Sequence, residues 1–339
     1  MNLETEGHLP CVSVVVVNHN GRRFLAKCFS SLMESVYSNF EVIMVDNASE
    51  DGSTDFVLRN FPSVKIERSD MNLGYAGGCN RGASIAKGDF IIFMNSDVEV
   101  SKGWLVPLTE VCSRPDVAVC GGKILIEKMR NRLYSAGGTL NLFSVPVDRG
   151  LFEIDNGQFE KLEDVAYVSG AAIMVYRKVF EMLGGFDSSF FAFCEEVNLC
   201  LRAWISGYRV VYTPSSVVYH VFGGSWGKPS PRRRFFGVRN MIHTLIKIFT
   251  LKNLLLLLPI YLIFRLVESI ILALSGRSGY LASFVSAVSS SLSELNMILE
   301  ERRKLQETRR VDDFTVLRFM VPLKHLKWLF RVAVFRSVL

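Results

Sequence analysis

The sequence predicts an α/β fold with a mostly parallel central sheet, joined to a C-terminal apolar helical region that contacts a membrane. Over the first 120 residues, short β-type runs alternate with helix-type stretches, and polar clusters follow the runs. Beyond residue 240 the composition becomes apolar and basic. Strand–helix alternation with short connections is typical of a parallel sheet with right-handed crossovers.

The alternating elements can be assigned in order. Residues 12–17 form a continuous β-branched run, the pattern of a strand buried on both faces. After it we expect a helix over 22–35, a strand over 41–45, a helix over 54–60, a strand over 64–67, a helix over 76–86 and a strand over 90–94. Further along, a helix is expected over 195–206, and strands over 209–212 and 217–219 are expected to flank a turn at Pro214.

These elements predict one domain over 1–240, with halves over about 12–120 and 121–240, and a helical tail over 241–339. In the tail, the uncharged run 254–264 is only eleven residues long and contains Pro259. A transmembrane helix needs about 20 apolar residues, so we expect an in-plane or re-entrant helix in which Arg265 and Glu268 pair. Stretches 280–299 and 314–334 are also apolar or amphipathic, and a soluble helical subdomain is the alternative.

Charge and cysteine content indicate the cellular compartment of the protein and the kind of partner it binds. The net charge is +6, and residues 241–339 alone carry 14 Lys and Arg against 7 Asp and Glu. A basic apolar tail suits an anionic membrane surface better than nucleic acid, for which no motif is present. The seven cysteines lack metal-binding spacing, and the polar first ten residues are no signal peptide, so we expect reduced thiols and a cytosolic N-terminal part.

Four polar clusters follow the predicted strands, over 18–21, 46–53, 72–80 and 95–97. Each alone could be an ordinary turn, but ligands of open α/β sheets bind outside the carboxyl ends of the strands. Together the clusters therefore predict a ligand site. The candidate ligand-binding residues are Asn18, Asn20, Asp46, Asn47, Ser49, Gly52, Asn72, Gly74, Asn80 and Asn95.

Two of these clusters carry a more specific expectation. Asp46 directly follows a buried strand, so its carboxylate can accept an N–H from a nucleobase, although a helix cap is the alternative. The glycine-rich run 72–80 lets backbone N–H groups approach a ligand closely. Its spacing is neither GxGxxG nor a P-loop, which disfavours dinucleotide and hydride-transfer chemistry.

A series of seven motifs resembles family-2 glycosyltransferases, and within them the rhamnosyltransferase-like branch. In order these are VVVVNHNG, VDNASEDGS, NLGYAGGCNRG, FIIFMNSDVEV, SGAAIMVYRKVFEMLGGFDSSFFAF, CEEVNLCLRA and VVYHVFGGS, covering about residues 12–240. The resemblance implies a GT-A type nucleotide-sugar-binding domain and an inverting hexosyltransferase. The implied partners are a nucleotide-diphosphate sugar, with dTDP-rhamnose favoured by the branch, a glycan or lipid-linked acceptor, and membrane lipids on the cytoplasmic side.

The resemblance also implies a divalent cation, Mg²⁺ or Mn²⁺, at the NSD sequence 95–97. A hard cation with oxygen ligands would stabilise the departing diphosphate. Asp97 is the expected carboxylate ligand, and His220 is implied as a further ligand, although a structural histidine is equally consistent with this position. Asn95 departs from a strict DxD motif, and a neutral carboxamide is a weaker metal ligand.

The segment CEEVN is implied to carry the catalytic base. Inversion requires a carboxylate that removes the proton of the attacking hydroxyl group. The resemblance places Glu196 in this role, with Glu195 beside it, where the family usually has Glu-Asp. Asn198 also replaces a usual Asp. Helix-dipole complementarity at a first helical turn is the non-catalytic interpretation of the two glutamates.

Arginines after the Gly-Gly loop complete the candidate site. Residues 232–234 and Arg239 have the guanidinium forks that suit a diphosphate, Asn240 follows them, and Arg239 is included among the donor-binding residues. A basic membrane-facing patch is the alternative. Two other functions remain open. One is transfer to a polyprenyl phosphate. The other is a catalytically silent, membrane-bound scaffold, which the departures from the family motifs at 95, 196 and 198 suggest. The oligomeric state is open too.

Overall fold

A computed structural model describes residues 9–321, except 225, 226 and 228. The strands are β1 Val12–Asn18, β2 Phe40–Asn47, β3 Lys65–Ser69, β4 Phe90–Asn95, β5 Val98–Val100, β6 Val117–Ile126, β7 Met129–Ser135, β8 Gly138–Asn141, β9 Pro146–Asp148, β10 Glu163–Asp164, β11 Ala172–Tyr176, β12 Arg209–His220 and β13 Met320–Val321. The helices are α1 Arg22–Met33, α2 Ser53–Asn60, α3 Gly74–Ile85, α4 Leu105–Cys112, α5 Arg177–Met182, α6 Glu195–Ile205, α7 Pro231–Ile248, α8 Leu251–Leu274, α9 Gly279–Ser293, α10 Leu295–Glu307 and α11 Phe314–Leu317. The expected 314–334 stretch lies mostly outside the described residues.

The central sheet has the strand order β10-β12-β6-β11-β4-β1-β2-β3. In its first half β3, β2, β1 and β4 are all parallel, as the strand–helix alternation predicts. Because parallel strands end at one edge, residues 18, 46 and 95 come together there: Asn18 lies opposite Asp46 in the β1–β2 register. On the other side of β1, its first residue, Val12, lies opposite Phe90 of β4.

The second half of the sheet is mixed. β11 pairs antiparallel with both β4 and β6 and so joins the two halves, and β12 runs parallel to β6. The expectation of two strands around a turn at Pro214 is wrong, since β12 is one strand with a register shift between Thr213 and Val217. The shift absorbs the proline, which cannot donate a ladder hydrogen bond.

Helices cover both faces of the sheet, which explains why β1 is buried along its whole length. On one face α3 packs closely on β1 and β2: a Cβ on Gly82 would lie 2.2 Å from Cγ1 of Val15. α1 and α4 contribute Leu25 and Leu108 to the core on the other face. This close packing holds the first residues of α3 at the carboxyl edge of the sheet.

Beyond residue 230 the described chain is mainly helical. α8 continues for 24 residues through Pro259, and by length and composition alone it could cross a membrane. Arg265 and Glu268 pair at 3.0 Å as expected. Many apolar side chains of α8 face outward, including Leu255 at 68% and Leu274 at 84% exposure.

Candidate active site

A cavity of roughly 390 Å³ opens at the carboxyl edge of β1, β2 and β4. Its walls come from the strand ends, from the start of α3, from the segment before α6 and from the end of β12. Its lining includes His19, Asn47, Asn72, Gly74, Tyr75, Asn95, Ser96, Tyr134, Gly170, Phe191, Glu195, Glu196, His220 and Arg232.

Asp46 lies at the expected edge but not in the cavity wall. Its side chain is fully buried, and its carboxylate accepts hydrogen bonds from Thr54 Oγ1 at 3.1 Å and Asn18 Nδ2 at 3.5 Å. Arg68 pairs with it at 3.7 Å. The adjacent Asn47 does line the cavity, and its Nδ2 donates to the Gly74 carbonyl at 2.7 Å.

Ser49 ties the first two polar clusters together. Its Oγ accepts from Asn18 Nδ2 at 3.1 Å and from the Asn20 backbone N–H at 3.0 Å, while Oδ1 of Asn20 accepts from the Glu50 N–H at 2.9 Å. Gly52, with φ of 77°, precedes α2 as its N-cap. These residues form the frame of the edge, whereas His19 from the same cluster faces the cavity.

The glycine-rich loop contacts the second half of the domain directly. Gly74 has φ of 73°, and a Cβ there would lie 2.1 Å from the Phe191 carbonyl oxygen, so only glycine fits. The Tyr75 N–H donates to the same carbonyl at 2.7 Å, and Oδ1 of Asn72 accepts from the Gly74 N–H at 2.9 Å. The loop therefore fixes the distance between the two cavity walls.

Two expected donor-binding residues lie elsewhere. Asn80 is hydrogen-bonded in both directions to the Phe186 backbone, at 2.9 Å each way, and Arg239 is buried against Glu294 in the tail. Neither lines the cavity. The sequence shows their residue types but not these partners, which lie 106 and 55 residues away.

Asp97, Asn95 and His220 form one polar group. Nε2 of His220 lies 3.1 Å from Oδ1 of Asp97 and 3.4 Å from Nδ2 of Asn95. The Tyr134 ring packs edge-on against the imidazole with centroids 4.7 Å apart. Asp97 and His220 are both buried. Asn95 and His220 line the cavity, whereas Asp97 lines a second one with Arg23 and Gly224.

The donor set fits a hard cation in part. Within the described residues there is no cluster of three His, Cys, Asp or Glu side chains able to hold a metal ion. Adjacent ligands in an octahedral site with bonds of about 2.1 Å lie roughly 3 Å apart, close to the 3.1 Å between Asp97 Oδ1 and His220 Nε2. These two side chains can supply a pair of adjacent ligands, which leaves other positions for oxygens of a substrate.

Glu195 and Glu196 open α6 on the opposite wall. Burial raises the pKa of Glu195 to about 7. Burial and then the Glu195 carboxylate raise the pKa of Glu196 well above its ordinary value. Oε2 of Glu195 is buried and has no hydrogen-bond partner among the described residues. A carboxyl group with a raised pKa inside a cavity is suited to accept a proton.

The sequence interpretation missed several cavity residues. Tyr134 is on β7, within a stretch to which no element was assigned, and Phe191 lies in a motif noted only for the resemblance. The Arg232 guanidinium lies 5.6 Å from the Phe191 ring centroid, so it belongs to the same wall. An aromatic residue next to a conspicuous polar motif was the available signal for Phe191, and nothing marked Tyr134.

This fold and cavity define the class of the protein: a GT-A-like α/β domain with a polar site at the carboxyl edge of its sheet. The model of the family "Glycosyl transferase family 2" matches residues 13–184, which is half of the chain, and the chain belongs to this family. The motif series predicts the same family, and this prediction is confirmed.

Relatives and solved structures agree with this assignment. The chain is 28% identical over 244 residues to N-acetylglucosaminyl-diphospho-decaprenol L-rhamnosyltransferase of Mycobacterium tuberculosis, covering 63% of this chain and 77% of that protein. It is 28% identical over 221 residues to the O-antigen biosynthesis protein RfbC of Myxococcus xanthus, covering 62% of this chain. A crystal structure of GalNAc-T7 with UDP, GalNAc and Mn²⁺ has a TM-score of 0.60 at 18% identity, covering 71% of this chain and 48% of that one.

The chain spans only part of some relatives. It covers 17% of the length of RfbC and 26% of an uncharacterized protein of Sinorhizobium fredii, y4gI, to which it is 27% identical over 241 residues, 67% of this chain. The similarity to the solved structures concerns the fold.

Proposed function

We propose that the chain is an inverting glycosyltransferase that transfers a sugar from a nucleotide-diphosphate donor to a lipid-linked glycan acceptor at the cytoplasmic face of a membrane. The observation that carries this proposal is the arrangement of the cavity. Two carboxyl groups with raised pKa line one wall. Asn95 and His220 line another, and Asp97 lies 3.1 Å from His220 Nε2 just outside this lining.

The donor binds along the sheet edge in this proposal. His19, Asn47, Asn72 and Asn95 line the cavity and offer hydrogen bonds to a nucleotide and its sugar. Asn18, Asn20, Ser49 and Gly52 hold the edge in shape, and Asp46 acts on the nucleobase only after local rearrangement. Rhamnose is the favoured sugar because the Mycobacterium relative is named a rhamnosyltransferase.

A divalent cation, Mg²⁺ or Mn²⁺, would be held by Asp97 and His220. When bound, it neutralises the charge that develops on the diphosphate leaving group. His220 can ligate through Nε2 only as the neutral imidazole. The Tyr134 ring against it restricts the orientation of the imidazole.

Glu196 is the proposed base. Its side chain packs against Gly170, where an added Cβ would lie 3.5 Å from it. It takes the proton of the acceptor hydroxyl while that oxygen forms a bond to the anomeric carbon and the bond to the diphosphate breaks. Glu195 raises the basicity of Glu196, since two nearby carboxylates disfavour each other's ionisation.

The tail is proposed to lie against the membrane that holds the acceptor. The exposed apolar face of α8 supports this, and so does the acceptor named for the Mycobacterium relative, a decaprenol diphosphate. Whether the 24-residue helix spans or lies in the bilayer is decided by accessibility of introduced cysteines from each side of sealed vesicles.

The function is tested with purified full chain in lipid vesicles, a panel of dTDP, UDP and GDP sugars, and decaprenyl-diphosphate N-acetylglucosamine. Metal-dependent release of nucleoside diphosphate from one donor, increased by the acceptor, is expected. Transfer only to a bare polyprenyl phosphate would replace the proposed acceptor. Donor binding without turnover under every combination would overturn the proposed transfer.

A further inference from the structure

We infer that Arg239 and Asn240 of α7 are positioning residues. They hold the segment 189–194 in the conformation that directs Glu195 and Glu196 into the cavity, and they anchor this segment to the tail helices. The inference rests on the proposed function only for the chemical role of the two glutamates.

The segment before α6 has an unfavourable backbone conformation. Phe193 and Cys194 are consecutive non-glycine residues with φ of 71° and 64°. Such residues occupy the left-handed region only where surrounding contacts impose it, and they concentrate at functional sites. Cys194 is the N-cap of α6, so this conformation sets the direction in which the first helical turn presents its carboxylates.

Asn240 supplies contacts that impose it. Its side chain is fully buried, and its Nδ2 donates to the carbonyls of Ala192 at 2.9 Å and Phe193 at 2.8 Å. Its Oδ1 accepts from Arg239 Nη1 at 3.0 Å, which fixes the amide orientation. One side chain thus satisfies two successive carbonyls that lie outside any helix or strand.

Arg239 extends the connection in both directions. Its Nη1 also donates to the Ser189 carbonyl at 3.0 Å, at the start of the segment. The rest of its guanidinium bonds Ser290 Oγ at 3.2 Å and forms an ion pair with Glu294, the residue between α9 and α10. The chain of contacts therefore runs from the tail through α7 to the residues immediately before the glutamates.

Loss of this connection has a specific consequence for catalysis. Without the Asn240 amide, the carbonyls of Ala192 and Phe193 lose this donor, and the left-handed segment relaxes. Glu195 and Glu196 then become more accessible to water, while the donor side of the cavity keeps its contacts. The transfer step is expected to fail before donor binding does.

The first test compares kinetics of Asn240→Ala and Asn240→Asp with wild type in vesicles. We expect kcat to fall on the order of ten- to a hundredfold, with the donor KM within about twofold. The acidic limb of the pH profile should move to lower pH as the carboxyl groups become solvated. Equal losses in donor binding and kcat, or an unmoved acidic limb, would contradict a positioning role.

Glu268→Gln is the matched control. Glu268 forms a different ion pair between α7 and the tail, with Arg234 at 2.8 Å. Among the described residues, none of its hydrogen bonds reaches the segment 189–194. This variant should keep kcat and the pH profile even if its stability drops. If Glu268→Gln lost as much kcat as Asn240→Ala, the loss would be explained by general destabilisation of the tail, and the positioning role of Asn240 would be contradicted.

A second readout needs no turnover. Hydrogen–deuterium exchange of amides over residues 189–198 is expected to accelerate at least about tenfold in Asn240→Ala and to stay unchanged in Glu268→Gln. Unchanged exchange in Asn240→Ala would overturn the inference. If wild type transfers no sugar, the proposed function fails, yet this exchange measurement still decides whether Asn240 holds the segment.

Discussion

Nε2 of His220 lies 3.1 Å from Oδ1 of Asp97, across 123 residues of sequence. The relationship follows from strand pairing: β5 runs antiparallel to β12 with Val98 opposite His220. Asp97, which immediately precedes β5, and His220, the last residue of β12, are thereby placed side by side. The first prediction concerns this pair.

Asp97→Asn is expected to lower metal-dependent transfer on the order of a hundredfold or more, because the carboxylate that would neutralise the cation is removed. His220→Ala should raise the metal concentration needed for half-maximal activity. Both are measured as Mn²⁺ and Mg²⁺ titrations of nucleoside diphosphate release. The exposed Asp312 provides the control Asp312→Asn, and full activity of Asp97→Asn would remove Asp97 from the metal site.

Glu196→Gln should stop transfer while sparing donor binding, since the amide is nearly isosteric but cannot accept a proton. Glu195→Gln should retain measurable transfer with an acidic limb at lower pH, because one source of like-charge repulsion is gone. Initial rates across pH 5–9 and nucleotide binding by calorimetry separate the two effects. If Glu195→Gln is the inactive variant, the base is one residue earlier in the chain.

The raised pKa of Glu195 also predicts a pH-dependent stability. Below its ordinary pKa of 4.5 the group is protonated in both folded and unfolded chains. Between 4.5 and about 7 only the unfolded state ionises freely, so the free energy of unfolding falls as pH rises through this window. Above it, the burial cost is constant.

Glu195→Gln should therefore stabilise the protein at pH 8 by about 1–3 kcal/mol and have little effect at pH 4. Thermal unfolding of both proteins at the two pH values measures this. Glu300→Gln, an exposed position on α10, should show no such pH dependence. Equal stability of wild type and Glu195→Gln at pH 8 would contradict the buried environment assigned to this carboxyl group.

The exposed apolar side chains of α8 predict that the protein binds membranes through contact of these side chains with the lipid. Replacing Leu255, Ile271 and Leu274 with Asn should reduce flotation with anionic vesicles at least about tenfold, since each apolar side chain inserted contributes roughly 1.5–3 kcal/mol. Val36→Asn with Leu58→Asn, at exposed apolar positions outside the tail, is the control. Unchanged flotation would show that this face of α8 does not meet the bilayer.

Local patterns predicted much of the fold. β1 and the three following strands were identifiable because buried parallel strands consist of continuous apolar runs, and their polar ends then located the edge. Two strands were predicted in place of β12 because Pro214 is a turn signal. The bulge that accommodates this proline depends on pairing with β6, which the local sequence does not show. A count of uncharged residues gives only the run 254–264, whereas α8 has 24 residues, because Arg265 lies within the helix and is paired with Glu268.

Part of the cavity lining coincides with the residues that local patterns singled out. Asn95 ends a strand, and Glu195 and Glu196 open a helix; all three line the cavity. Asn80 and Arg239 have the polarity of ligand-binding residues but are used by distant backbone and tail partners. Tyr134 comes from β7, whose position beside His220 depends on the second half of the sheet. Long-range pairing decides such cases, and no local pattern encodes it.

The position of β11 has a consequence for biosynthesis. β1 to β4 can pair as soon as about one hundred residues have left the ribosome, but the outer side of β4 is covered only by β11, about eighty residues later in the chain. During that interval the nascent chain exposes an unpaired apolar strand, which is a template for intermolecular pairing. A chaperone that binds the nascent chain at the ribosome exit is therefore expected to increase the yield of folded protein.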